Sequence, residues 1–387
     1  MSFRKRNAVI NSSSSSQSTS LRPENSSIPG IRPSPVDGRP TTSTGTASLD
    51  NLLAGHSGLP LGTSLLIGEH GTTDFAGVLL RYYAAQGMVH GHQIHVLGLH
   101  EGWRSELPGI AAQDKPSSKS ETPANDRMKI AWRYESLGSV GAPRDRGAQQ
   151  RDVNSANGTT SVFCHSFDLT KRLSPGDVTG QIGFHPTMIV PSLTPQTKEA
   201  LSPFKHFIKD VSAKLANSPP PSKHRIIVPS LLSPTVYAGS STRPEEVLQF
   251  LHALRALLRQ YPDKLTAIIS LPLSLYPRTA GLTRWMELLC DGVLELIPLQ
   301  STSIHAPPPS SKSDSKSEEQ IQGLLKVHSL PIFHEKGGGS SDAHSEDQSF
   351  SLSRSKGLTI KPYYLPPVGD DDKGEKGEES SKPSMDF

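Results

Sequence analysis

The stretch Leu65–Tyr83, LLIGEHGTTDFAGVLLRYY, sets the strongest constraint on what this chain can become. An apolar run ends at Gly68, a short glycine- and threonine-bearing turn follows, and apolar residues at Phe75, Val78, Leu79, Tyr82 and Tyr83 recur at helical spacing. A buried strand that feeds a helix through such a turn is the layout of a phosphate-binding loop, and it calls for a sheet covered by helices. The chemistry of that loop needs backbone N–H groups in a nest, a lysine on the outer phosphates and a hydroxyl on magnesium. Aligned on Gly68, the pattern puts Thr73 at the last glycine, Asp74 at the lysine and Phe75 at the hydroxyl. Asp74 and the nearby Glu69 would repel a triphosphate, and Asp74 has a structural use as an acid capping a helix N-terminus. Gly68, Gly71, Thr72 and Thr73 are thus expected to form a degenerate, inactive nucleotide loop.

Other segments follow the same rhythm. Short apolar strands are expected at 63–67, in HQIHVLGL (92–99), in RIIVPSLLSP (225–234), in KLTAIISLPL (264–273) and in DGVLELIPL (291–299). Helices are expected after Ser48, in TKEALSPFKHFIKDVSAKLA (197–216), in TRPEEVLQFLHALRALLRQYP (242–262) and in GLTRWMELLC (281–290). In the third of these, Thr242 and Glu245 have capping-box spacing, Pro244 suits the first turn, and Pro262 stops the helix. SVFCHSFDLTKRL (161–173) reads as a short strand with a turn or helical exit. The alternation predicts an α/β fold with a mostly parallel central sheet flanked by helices. GLLKVHSLPIF (323–333) and GLTIKPYYL (357–365) then predict a C-terminal antiparallel hairpin at one sheet edge.

Composition limits how much of the 387 residues can join that core. Hydrophobic content is 34%, and the 33 prolines and 32 glycines cluster with serine in segments too polar to offset ordering entropy. Residues 1–44 are expected to be a disordered Ser/Pro-rich tail and 367–387 a disordered acidic tail. The domain between them, 45–366, is expected to carry polar insertions near 111–126, 141–160, 302–319 and 336–356, with MKIAWRYESL (128–137) resuming order. A formal charge of +3 does not by itself mark a nucleic-acid binder. Cys164 and Cys290 are the only cysteines, which excludes a disulfide framework or thiolate metal cage. There is neither a signal-peptide core nor an apolar run near the roughly 20 residues of a membrane span. The expectation is a soluble chain of the cytoplasm and nucleus, with its sequons at Asn11, Asn25 and Asn157 unused.

Few constellations carry chemistry. His90, His92, His95 and His100 cluster along a turn and strand, where alternating faces keep them from converging on one metal; they are expected to border the sheet. Cys164 and His165 are neighbours in extended chain and point apart. RIIVPS (225–230) provides no strand-end carboxylate to hold magnesium, so a second part of the nucleotide machinery is missing. Two loops after predicted strands combine aromatic and basic residues: Tyr237 and Arg243 in the first, Tyr276, Arg278 and Arg284 in the second. That mixture suits stacking on unpaired bases and contact with phosphates.

GTASLDNLLAGHSGLPLGTSLLIGEH, VLLRYYAAQGMVHGHQIHV, MKIAWRYESL, FCHSFDL and PSLLSP together resemble the Elongator complex protein 4 (PAXNEB) family, from about Gly45 to Pro366. KIAWRY with a downstream HSFDL is the distinctive combination. The resemblance implies a RecA-like fold without intact nucleotide motifs. It implies a heterohexameric ring with two RecA-like paralogues, Elongator subunits 5 and 6. That ring would join the catalytic Elongator subcomplex, bind tRNA and support wobble-uridine modification toward 5-carboxymethyl derivatives. On this reading the chain is an accessory subunit with no cofactor or metal of its own, ATP being confined to interfaces within the ring. The loops bearing Tyr237–Arg243 and Tyr276–Arg284 would face the central hole. The alternative is an active NTPase whose site, built on Gly68, Gly71, Thr72 and Thr73, is completed by a cation from a neighbouring subunit.

Overall fold

A computed structural model describes residues 28–53, 57–111, 162–187, 202–299, 321–331, 347–354 and 357–363. The chain opens with β1 (Ile31–Pro33), β2 (Pro40–Thr42), α1 (Ala47–Leu52), β3 (Leu59–Pro60), β4 (Ser64–Glu69) and α2 (Phe75–Val89). Next come β5 (Gln93–Leu97), β6 (Pro108–Ile110), β7 (Phe167–Arg172), β8 (Gln181–His185), α3 (Pro203–Asn217), β9 (His224–Val228) and α4 (Pro244–Gln260). β10 (Leu265–Pro272), α5 (Gly281–Leu289), β11 (Gly292–Pro298), β12 (Gly323–Ser329), β13 (Gln348–Ser353) and β14 (Gly357–Pro362) complete it.

Among the described residues the main sheet has nine strands in the order β14-β13-β12-β11-β4-β10-β9-β5-β8. The run from β11 to β8 is parallel, and β12, β13 and β14 extend it by antiparallel pairing. This is the expected mostly parallel α/β sheet with an antiparallel C-terminal edge. Strand periodicity divides the core between two faces. Leu65, Ile67, Ile227, Ile268 and Leu294 pack with α1 and α2, whereas Leu66, Ile226, Val228, Ala267, Ile269 and Val293 pack with α3, α4 and α5. Apolar on both faces, these strands read as continuous hydrophobic runs, which is why they were legible. α2 is buried nearly all round, as befits a helix with the sheet on one side and β6, β7 and the C-terminal strands over the other.

Several local expectations change. β1 and β2 precede residue 44, so structured chain begins before the expected domain boundary. β13 lies inside the expected 336–356 insertion and turns the predicted hairpin into three antiparallel strands. β7 does not enter the main sheet; it pairs with β6 in a small separate one. The Thr242–Glu245 capping box is not formed: Arg243 is the N-cap of α4, and the Thr242 hydroxyl donates to the Gly239 carbonyl at 2.9 Å. The Ser48 hydroxyl accepts from the Ile360 N–H at 3.0 Å and fastens α1 to β14. The distinctive KIAWRY segment, the sequons and most of the expected insertions and tails lie outside the described residues. Among the described residues, no helix is long and apolar enough to cross a membrane.

Candidate functional site

The degenerate loop sits at the C-terminal end of β4, the central parallel strand, and opens α2. The carboxylate of Glu69, the last residue of β4, lies against the N-terminus of α2. Its Oε1 accepts from the Thr73 hydroxyl and the Phe75 N–H, both at 2.8 Å, and its Oε2 accepts from the Ala76 N–H at 3.1 Å. These are the donors that a phosphate-binding loop would turn toward its anion. Here they are taken by the chain's own carboxylate, which is only 8% exposed. Burial raises the Glu69 carboxyl pKa above its ordinary value, although the three hydrogen bonds pull it down. Because both oxygens only accept, the geometry is that of an ionised carboxylate.

The rest of the loop is closed in the same way. The Gly71 N–H donates to the Ser274 hydroxyl at 2.9 Å, and that hydroxyl donates back to the Gly71 carbonyl at 3.1 Å, joining the loop to the segment after β10. Gly71 has φ +78°, a conformation that costs glycine nothing. Gly68 lies against the Leu273 side chain, and a Cβ there would come within 2.6 Å of it. Thr72 is exposed. Asp74 stands at the N-cap position without making a side-chain cap; its carboxylate pairs with Arg81 at 2.8 Å. The capping expected of Asp74 is therefore performed by Glu69.

A second carboxylate stands beside the loop. Glu295 of β11 is in register with Gly68. It bonds His70 Nε2 at 2.6 Å and His328 Nε2 at 2.5 Å, with Arg278 at 3.6 Å. Burial alone would raise the Glu295 pKa, but the hydrogen bonds from His70 and His328 and the charges of His328 and Arg278 outweigh it and hold it below its ordinary value. The residues around this cluster leave no cavity larger than about 10 Å³. The neighbourhood thus carries Glu69, Asp74 and Glu295 without a lysine. β9, two strands from β4, ends at Val228, where Ser230 donates its N–H to the Ser270 hydroxyl and no acid stands.

The five side chains expected to contact RNA are only partly brought together. The loops do meet, since the Tyr276 hydroxyl donates to the Leu232 carbonyl at 3.1 Å. Tyr237, however, is 1% exposed and stacks on Phe204 inside the core, so it cannot stack on a base. Tyr276 is half-buried against the same core. Arg278 is engaged with Glu287 through two bonds of 2.5 and 3.1 Å. Arg243 and Arg284 are exposed. The residue overlooked in this region is Trp285, 58% exposed beside Arg284, where a helical stripe would have suggested burial.

Of the histidine cluster, His90, His92 and His95 are buried rather than bordering the sheet, whereas His100 is exposed. Arg225, wholly buried, donates to His92 Nδ1, to the Ser43 and Tyr83 carbonyls and to the Thr42 hydroxyl. His95 Nε2 lies 3.0 Å from His224 Nδ1. No group of three metal-ligating side chains occurs among the described residues. Cys164 is not part of a dyad; its thiol faces the His165 carbonyl, and burial raises its pKa.

A family model described as PAXNEB protein matches residues 24–387. The chain is 30% identical over 361 residues to Elongator complex protein 4 of Schizosaccharomyces pombe, an alignment covering 90% of this chain and 91% of that protein. It is 29% identical over 347 residues to the protein of the same name from Saccharomyces cerevisiae, covering 81% and 71% respectively. The Homo sapiens protein of that name is 28% identical over 374 residues, covering 88% and 80%.

Proposed function

Because the chain belongs to the Elongator complex protein 4 (PAXNEB) family, we propose that it is a non-catalytic subunit of the Elongator complex. In this reading it builds a heterohexameric ring with Elongator subunits 5 and 6, which holds tRNA for wobble-uridine modification by the catalytic subcomplex. The observation that carries the accessory role is the Glu69 carboxylate seated on the donors at the start of α2. A triphosphate would have to displace a buried, three-fold hydrogen-bonded anion and then sit beside Asp74 and Glu295 without a lysine. The ring role rests on the family, and the α/β body with its strand–loop–helix at Glu69 is compatible with it.

Contact with tRNA is assigned to Arg243, exposed where the loop after β9 enters α4. Tyr237 and Arg278 are excluded from it by burial and by the ion pair to Glu287.

Co-purification of the full chain with subunits 5 and 6, followed by native mass measurement, tests the assembly. A mass of six subunits supports it; a chain that stays free of both partners contradicts it. The competing reading, an NTPase completed across an interface, predicts that Thr73→Ala and Asp74→Ala in the assembled ring alter ATP turnover. The accessory reading predicts unchanged turnover.

A further inference from the structure

The end of β7 and the turn that leads toward β8 read LTKRLSPGD, residues 169–177. Lys171, Arg172, Ser174, Pro175 and Gly176 are all exposed. Ser174 has φ −73° and ψ 139°, an extended backbone, and its hydroxyl does not cap the single 3-10 turn that Pro175–Asp177 form. Two cations, an exposed hydroxyl and a proline therefore stand together within residues 171–175. Five Ser–Pro steps lie among the described residues, at Ser34, Ser174, Ser202, Ser218 and Ser233. Ser34 and Ser218 are buried, and the Ser202 hydroxyl is shut away from solvent at the start of α3. Ser233 is half-buried, and its hydroxyl bonds that of Thr235 at 2.8 Å. Of these five, only Ser174 is exposed with cations two and three positions before it.

The chain just before Ser174 is lightly held. The β6–β7 ladder passes from Gly109↔Asp168 directly to Pro108↔Arg172, so Thr170 and Lys171 stand outside it. Lys171 reaches the Asp168 carboxylate at 3.5 Å, and Arg172 donates to the Glu106 carbonyl at 3.1 Å. The Leu173 N–H donates to the Leu107 carbonyl at 2.9 Å and anchors the turn. Few bonds therefore oppose the opening of 170–174 into the extended form that an enzyme cleft takes, and such local opening costs far less than global unfolding.

We propose that Ser174 is a phosphorylation site, modified with MgATP as donor by a proline-directed serine kinase whose surface is acidic opposite Lys171 and Arg172. Pro175 fixes the backbone after the acceptor, and the two cations supply the charge pattern by which kinases discriminate substrates. The Ser174 oxygen attacks the γ-phosphorus of ATP, and the bond from that phosphorus to the bridging oxygen breaks. ADP leaves with the electron pair, and the hydroxyl proton passes to a carboxylate of the kinase. The phosphoserine carries about −1.5 to −2 charge at neutral pH. Placed beside Lys171 and Arg172, it neutralises the cationic corner on which it stands.

The test begins with the full chain isolated from the cells that make it, digested and read by mass spectrometry. A phosphate on Ser174 is expected; a Ser174 left unmodified in both growing and starved cells overturns the site. The purified full chain is then incubated with MgATP and a cyclin-dependent kinase, comparing wild type, S174A and the K171A/R172A double variant. All three side chains are exposed, so melting followed by circular dichroism should be the same for every variant. Incorporation at this position should vanish in S174A and slow by about tenfold in the double variant. Total incorporation undiminished in S174A places the phosphate elsewhere and overturns the site. No incorporation into wild type, or an undiminished rate in the double variant, overturns the choice of kinase. On a heparin column the phosphorylated chain should elute at lower salt than the unmodified chain. Equal elution overturns the neutralisation of Lys171 and Arg172.

Discussion

Glu69 shows how one side chain decides what a loop can do. Its carboxylate supplies what the N-terminus of α2 needs, an acceptor for N–H groups that have no partner within the helix, so the loop is complete without a ligand. Glu69→Ala should cost about 2 kcal/mol in chemical denaturation, since it strands buried donors, whereas Glu69→Gln, which keeps one acceptor, should cost under about 1 kcal/mol. Equal losses for the two variants would show that the carboxylate does not cap the helix. Arg225 acts at the same scale but in the core: a wholly buried cation satisfied by carbonyls, a hydroxyl and an imidazole, and stacked on Tyr83. Arg225→Leu should cost about 3 kcal/mol or more in the same measurement, because four acceptors lose their donor at once. The sequence could place Glu69 next to a failed loop but not on its donors, because that contact depends on how the turn between β4 and α2 folds back. The burial of Tyr237 is hidden for a related reason: in a loop of mixed polarity nothing local says whether a tyrosine faces solvent or fills a gap beneath a helix.

Elements differ in how far their pattern reveals them. α4 and the parallel strands were readable because burial on one face of a helix or both faces of a strand leaves a periodic mark. β8 (QIGFH) and β13 (QSFSLS) leave almost none. β8 closes one edge of the sheet, and β13 contributes chiefly Phe350 to the core, so their placement depends on strands far away in sequence. The β5, β8 and β9 strands also bring His95, His185 and His224 together beneath α3, with Lys214, Asp210 and His206 of that helix and Lys264 nearby. Burial holds all three imidazoles below their ordinary pKa, that of His185 at about 4 and that of His224 at about 4. A depressed folded pKa means the unfolded chain takes up protons first. Stability is therefore complete above the ordinary histidine pKa of about 6.5 and falls as pH drops toward 4, by at most roughly 3 kcal/mol for each of His185 and His224. Denaturation curves between pH 7 and 4 should show this loss, and it should shrink in His224→Gln; an unchanged midpoint across that range would place the histidines elsewhere than in the core.

For the molecule as a whole, the family could be recognised from scattered segments, and the α/β sheet from alternation. The surfaces by which the chain meets other molecules could not, because exposure depends on tertiary packing. Arg243 is exposed and Arg278 is held by Glu287, so the two arginines should behave differently in the proposed ring. Arg243→Gln should weaken tRNA affinity and lower its salt slope by about one, whereas Arg278→Gln should leave both nearly unchanged and lower the melting temperature instead. Equal effects of the two substitutions on tRNA would contradict the assignment. The central claim is that this subunit keeps the shape of a nucleotide-binding domain while its own carboxylate fills the anion site. It is tested most directly by hydrogen–deuterium exchange across residues 69–76 in the assembled complex, with and without magnesium and ATP. The account predicts that the Phe75 and Ala76 amides exchange slowly in both conditions and do not respond to ATP; ATP-dependent protection of those amides would contradict it.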